Sequence, residues 1–217
     1  MKIFITQHKT LAIFVILSVA VVILSLFCQC NDSPLRLLAV QIAIGYLINF
    51  IFYVTLSYLP ERRKTIVASK IIVQRINRII ADMRAFPNAM IKQFPSNYPS
   101  RAEQIRYATT MFYSDMILEY AGIWLHDTGE ETSWTAGAFL YAKLNDVEQN
   151  IFFVLKYYSY NIKPELDEVF DKILHSRVHT VFKRLFSGNK KITYNSDWIE
   201  DYDSLANELE KIQRLYE

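Results

Sequence analysis

Two long stretches without a charged side chain, residues 11–27 and 37–59, constrain this chain more than anything else in it. The first is about 17 residues long and the second about 23, lengths that bracket what a helix needs to cross a hydrocarbon core roughly 30 Å thick. An unpaired backbone amide in lipid costs several kcal/mol, so segments of this kind cross as helices. Asn31, Asp32, Ser33 and Pro34 supply turn chemistry between the runs, which predicts a tight antiparallel transmembrane hairpin. A cleaved signal peptide competes for the first run, since Lys2 and Lys9 resemble a basic leader. The length of the apolar run and the bulk of Phe27 before Cys28 argue against both ordinary and lipoprotein-type cleavage.

The flanking charges orient the hairpin. Lys2 and Lys9 precede the first run and Arg62, Arg63, Lys64 and Lys70 follow the second, whereas the connection carries only Arg36 against Asp32. Positive flanks stay inside, so the N-terminus and the C-terminal domain are both expected in the cytoplasm. Tyr53 and Tyr58 fit an interfacial aromatic belt at the inner end of the second run.

Gln41, Gly45 and Asn49 recur every fourth residue and share one face of the second helix. Ser18 and Ser25, seven apart, form a matching polar line on the first. These positions predict helix packing within the hairpin or between copies, or a water-accessible path built from several hairpins. Cys28 and Cys30 sit at the outer end, where an oxidising compartment would permit a bridge between subunits or leave inert thiols. Two cysteines cannot build a disulfide framework or a thiolate zinc site.

Beyond Pro60 the chain is charged and amphipathic. Ile66, Val67, Ile72, Val73, Ile76, Ile79, Ile80 and Met83 recur at helical spacing, which predicts a basic helix to about Phe86 that packs on a core or lies near anionic headgroups. Pro87, Pro95 and Pro99 then punctuate a loop, so residues 61–99 read as a connector between the hairpin, 1–60, and a helical domain, 100–217. Within that domain Ser100 with Glu103 forms a capping box opening a helix that ends before Gly129. A second helix is expected from Ser133 or Trp134 to Tyr160. Pro164 opens a third that runs to Gly188, with an acidic start and a basic finish. A short stretch, residues 191–194, has extended character, and a last helix covers residues 197–215. The expected fold class is all-α, a transmembrane hairpin followed by a cytoplasmic helical bundle.

Signals for chemistry are sparse. The five glycines are scattered, and none heads a phosphate loop. Asp167, Asp171, His175 and His179 fall at four-residue steps on one predicted helix, a spacing that can hold a metal, but the glutamate of a metalloprotease motif is missing. Asp115, Glu119, Asp146 and Glu148 lack the histidine signature of a di-iron bundle. His126 beside Asp127 has no nucleophile near it in sequence. The chain is therefore expected to be no enzyme, to need no cofactor and to hold no metal. With a net charge of +2, no direct nucleic-acid binding is expected either. Tyr157, Tyr158 and Tyr160, following Phe152 and Phe153, exceed what one buried stripe needs and form a candidate partner surface.

The two-span hairpin, the membrane-exit segment Leu59-Pro60-Glu61-Arg62-Arg63-Lys64 and the compact helical domain together resemble the two-transmembrane effector proteins of bacterial anti-phage systems, such as those that accompany retrons. The resemblance is one of layout, with only the exit segment matching in sequence. It implies a toxin-like protein of the bacterial inner membrane, held silent by a cytoplasmic protein or protein–nucleic acid partner. On activation such a protein oligomerises and permeabilises or depolarises the bilayer. It implies no catalytic residue. The competing expectation is a membrane-anchored scaffold whose helical domain recruits a cytoplasmic partner.

Overall fold

The computed structural model describes residues 9–27, 34–111, 135–185 and 196–216, and the regular structure among them is helical, without strands. The chain divides into two compact units, Met1–Ile66 and Val67–Glu217.

In the first unit α1 (Lys9–Phe27) and α2 (Pro34–Tyr53) cover the two apolar runs and pack on one another. A parallel pair would need a connection about as long as α1 itself, roughly 28 Å. The chain between Phe27 and Pro34 reaches at most about 25 Å, so the helices run antiparallel. Among the described residues, one helical run, Val40–Gln93, is long and apolar enough to cross a membrane, while the described apolar part of α1, Val15–Leu24, is shorter.

Pro60 does not end the second helix as expected. The chain passes through a widened π turn at Val54–Tyr58 straight into α3 (Leu59–Gln93). A proline ring inside an α-helix clashes with the carbonyl four residues earlier and removes a donor. Here the wider turn absorbs it, with the Leu59 N–H reaching back to the Val54 carbonyl. Thr55 Oγ1 donates to the Ile51 carbonyl at 2.7 Å, which keeps a backbone acceptor satisfied where the geometry departs from α. Pro87 likewise lies inside α3, which runs on to Gln93 rather than stopping near Phe86.

The second unit gathers around α3. Ile72, Ile76, Ile79, Met83, Phe86 and Met90 are all but fully buried, each burial stabilising by about 1.5–3 kcal/mol. They share one core with Ile105 of α4 (Arg101–Thr110), Leu140, Leu144, Val147, Ile151 and Val154 of α5 (Ala136–Tyr158), and residues of the later helices. The segment drawn as a connector from sequence thus supplies the central helix of the bundle. At α4 the capping box forms: Ser100 Oγ accepts from the Glu103 N–H at 3.2 Å and lies 2.8 Å from Glu103 Oε2. Thr135 caps α5, accepting from the Ala138 N–H.

Pro164 opens α6 (Pro164–Leu174), but the single helix expected beyond it breaks at His175 and resumes as α7 (Arg177–Leu185). Ser176 is the cause. Its hydroxyl accepts from the His179 N–H and its carbonyl from the Thr180 N–H, the pattern of a residue capping a new helix. The last helix, α8 (Ser196–Gln213), lies close to its expected place. It is tied to α4 by two arginine forks, Arg101 to Asp203 and Arg106 to Glu200, to α3 through Arg84 and Glu210, and to α6 through Lys172 and Glu208.

Candidate functional site

The polar positions of the first unit separate into two opposed faces. The seam between α1 and α2 is built from Val15, Ser18 and Val22 on one helix and Val40, Ala43, Leu47 and Phe50 on the other, all buried or half-buried. Ser18 and Ala43 are the most enclosed, at 7% and 4% exposure. The alternating three- and four-residue spacing is that of a knobs-into-holes seam, and the small side chains let the helices approach closely. Ser25 falls on α1, with its side chain outside the described residues, as are Cys28, Cys30, Asp115, Glu119, His126, Asp127 and residues 191–194.

Gln41, Gly45 and Asn49 do not belong to this seam. At about 100° per residue their common direction lies roughly opposite that of Val40, Ala43, Leu47 and Phe50. Gln41 and Asn49 are exposed and make no side-chain hydrogen bond among the described residues. Nothing lies within 4 Å of where a Cβ on Gly45 would be. A serine line meeting the amide line inside one hairpin is therefore not the arrangement found: Ser18 packs inward and the amides point outward. Around them Ile42, Ile44, Ile48, Ile51 and Phe52 are exposed, so this face presents two full amides within an apolar surface.

The basic residues of α3 also sort by position. Arg62, Arg63, Lys64 and Lys70 are exposed and form no ion pair among the described residues. Arg75 instead donates to Asn150 Oδ1 at 2.8 Å and lies 4.0 Å over the Phe153 ring, and Arg84 meets Asn207 and Glu210. Lower on the same helix, burial pushes the Asp82 carboxyl above its ordinary value although Lys143 Nζ donates to it at 2.8 Å.

The proposed histidine pair is split by the helix break. His175 is exposed and pairs with Asp171 on α6. His179, on α7, is 2% exposed, and its Nε2 lies 3.1 Å from the Tyr202 hydroxyl, which burial pushes well above its ordinary pKa. Among the described residues no three His, Cys, Asp or Glu side chains gather as metal ligands would. Among the described residues, two hollows open on the bundle, one of about 330 Å³ lined by Tyr98, Glu103, Arg106, Tyr107 and Thr110, the other of about 400 Å³ beside Lys172, His175, Arg177 and Trp198. Arg106 is held by Glu200, and Lys172 by Glu168 and Glu208, so in both much of the charge is already spent on the fold. Of the predicted aromatic surface, Tyr158 is half-buried against the core, whereas Tyr157 and Tyr160 are exposed.

Compared with known proteins, the chain matches no family model, no curated protein and no solved structure.

Proposed function

We propose that this protein is an inner-membrane effector whose two helices α1 and α2 cross the bilayer as a hairpin and, on activation through the helical unit, assemble and permeabilise the membrane. The observation that carries this reading is the outward amide line. Amides facing hydrocarbon without a partner are costly, and the hairpin's own seam does not offer them one. An amide carries both donors and an acceptor, so Gln41 and Asn49 of one copy can pair with the same residues of another. Gly45 between them leaves room for close approach. Several hairpins meeting through this line would bring their polar side chains together, which is the ingredient of a leak. The exposed Arg62, Arg63 and Lys64 at the end of the apolar run support a cytoplasmic location for the helical unit. Membership of the anti-phage effectors that the layout resembles belongs to the same proposal.

The test is membrane potential and growth in bacteria expressing the full chain, beside the Gln41→Leu, Asn49→Leu double variant at equal membrane abundance. Depolarisation by the first and its loss in the second supports the reading. A chain that inserts but leaves the potential unchanged, with or without its activating partner, would instead make the hairpin a passive anchor.

A further inference from the structure

Glu61 is the one acidic side chain among the described residues of the first unit, and it stands one turn from Lys64. Both are exposed, and neither forms an ion pair among the described residues, with the other or with anything else. Their direction on the helix follows from the π turn that precedes them. Helix α2 passes through Val54–Tyr58 into α3 without a break. The wider turn holds about one residue more than an α turn, so the residues beyond it lag by about 100°. Counting from Asn49 with that lag, Glu61 falls about 20° to one side and Lys64 about 40° to the other, whereas Arg62 and Arg63 point about 120° and 140° away. In an uninterrupted α-helix Glu61 would stand about 120° off, and Arg63 would come within about 40° of Asn49. The π turn therefore continues the line of Gln41, Gly45 and Asn49 into an acid and a base, where a regular helix would continue it into two bases. Leu56, 71% exposed, lies on the same side.

We propose that Glu61 of one copy pairs with Lys64 of a second copy of this chain, so that the surface between hairpins runs from the amides to the cytoplasmic end of the apolar run. Copies inserted in the same sense meet at equal heights. Glu61 and Lys64 differ by three residues, about 4.5 Å of rise, which a lysine side chain spans. A face carrying one charge of each sign complements itself, because each neighbour offers the opposite charge at the adjoining height. Copies that met through Arg62 and Arg63 would instead set like charges against each other. An exposed ion pair is weak, so this one selects the face on which copies meet, and the amides supply the hold. The proposal rests on the reading that the hairpins cross a membrane and assemble through the amide line.

The experiment uses the full chain carrying Cys28→Ser, Cys30→Ser and Leu56→Cys in bacterial membranes, as two differently tagged forms expressed together at equal membrane abundance. A short bismaleimide probes contact, and membrane potential is read alongside. The original charges are expected to give cross-links between the two tags. Glu61→Lys or Lys64→Glu carried by both forms should lower the cross-linked fraction about fivefold, the effect of turning a weak attraction into an equal repulsion. Glu61→Lys on one form with Lys64→Glu on the other should restore it, since each copy then faces opposite charges. Cross-linking and depolarisation that ignore the single reversals would overturn the pair while leaving assembly through the amides intact. Loss in the single variants without recovery in the mixture would also overturn it, because a neighbour cannot rescue a pair formed within one copy. With the original charges, an absence of both cross-links and depolarisation would end this pairing and the assembly reading together.

Discussion

At the scale of single residues, the second unit is held by a few buried charges with designated partners. Asp203 is nearly enclosed, and both its oxygens take 2.8 Å bonds from Arg101. Arg101→Ala leaves that carboxylate without its donor, and the expected cost is about 2–3 kcal/mol, read as a lowered unfolding midpoint of the full chain in detergent. Adding Asp203→Asn to the variant should recover part of the loss, because the stranded charge goes with it. Asp82 behaves differently from most carboxylates. Burial raises it from 3.8 despite Lys143, so the folded chain binds its proton more tightly than the unfolded chain does. Its contribution to stability therefore rises as pH falls through the raised folded value and is complete below 3.8. Asp82→Asn should remove that acid-side gain, and a variant whose unfolding midpoint keeps the same pH slope would show that other groups set it.

At the scale of elements, the features legible in the sequence were those that a local signal controls. The capping box at Ser100 and Glu103, the proline at the start of α6 and the span of α8 were all readable because each depends on neighbours within one turn. Two prolines misled for the opposite reason. Pro60 and Pro87 are helix breakers by local rules, yet a π turn accommodates the first and a buried core face surrounds the second, and neither circumstance is written near the proline. The break at Ser176 had a signal that was available, a capping serine three residues before His179, but the apolar stripe running across it spoke for one continuous helix. The stripe Gln41, Gly45, Asn49 was legible as a shared face. Which way it points depends on the seam with α1, and that seam follows from the three-four spacing of Val15, Ser18 and Val22 against Val40, Ala43 and Leu47. Ala43→Leu tests the seam. Overpacking of this kind costs about 1–3 kcal/mol, and the distance between spin labels at Ile16→Cys and Ile51→Cys, both exposed, should widen and broaden. An unchanged distance would mean that the small residue is not what sets the approach.

At the scale of the whole molecule, the two readings of the hairpin part company on whether its sequence matters. An anchor needs only length, apolarity and correctly placed positive charges, requirements that any unrelated two-span hairpin meets. An assembling effector needs in addition a face that prefers another copy to lipid, and among the described residues Gln41 and Asn49 are what distinguish one face of α2 from its isoleucine-rich surroundings. Each interhelical amide bond in a bilayer is worth only about 0.6–2 kcal/mol, so a single pair of copies would associate weakly. Two amides per copy, repeated through several copies, would make assembly depend steeply on local concentration, as suits a device that stays silent until its helical units are gathered or released. Replacing residues 1–60 with a foreign uncharged hairpin that lacks membrane-embedded amides should therefore leave the chain in the membrane but abolish depolarisation. Introducing glutamine and asparagine eight residues apart on the outward face of that foreign second helix should restore part of it. If the replaced chain depolarises as well as the original, the hairpin's sequence is irrelevant and the activity belongs to the helical unit. If it loses activity and the grafted amides restore none, the amide line is not the assembling element, and the seam residues Ser18 and Ala43 become the next positions to vary.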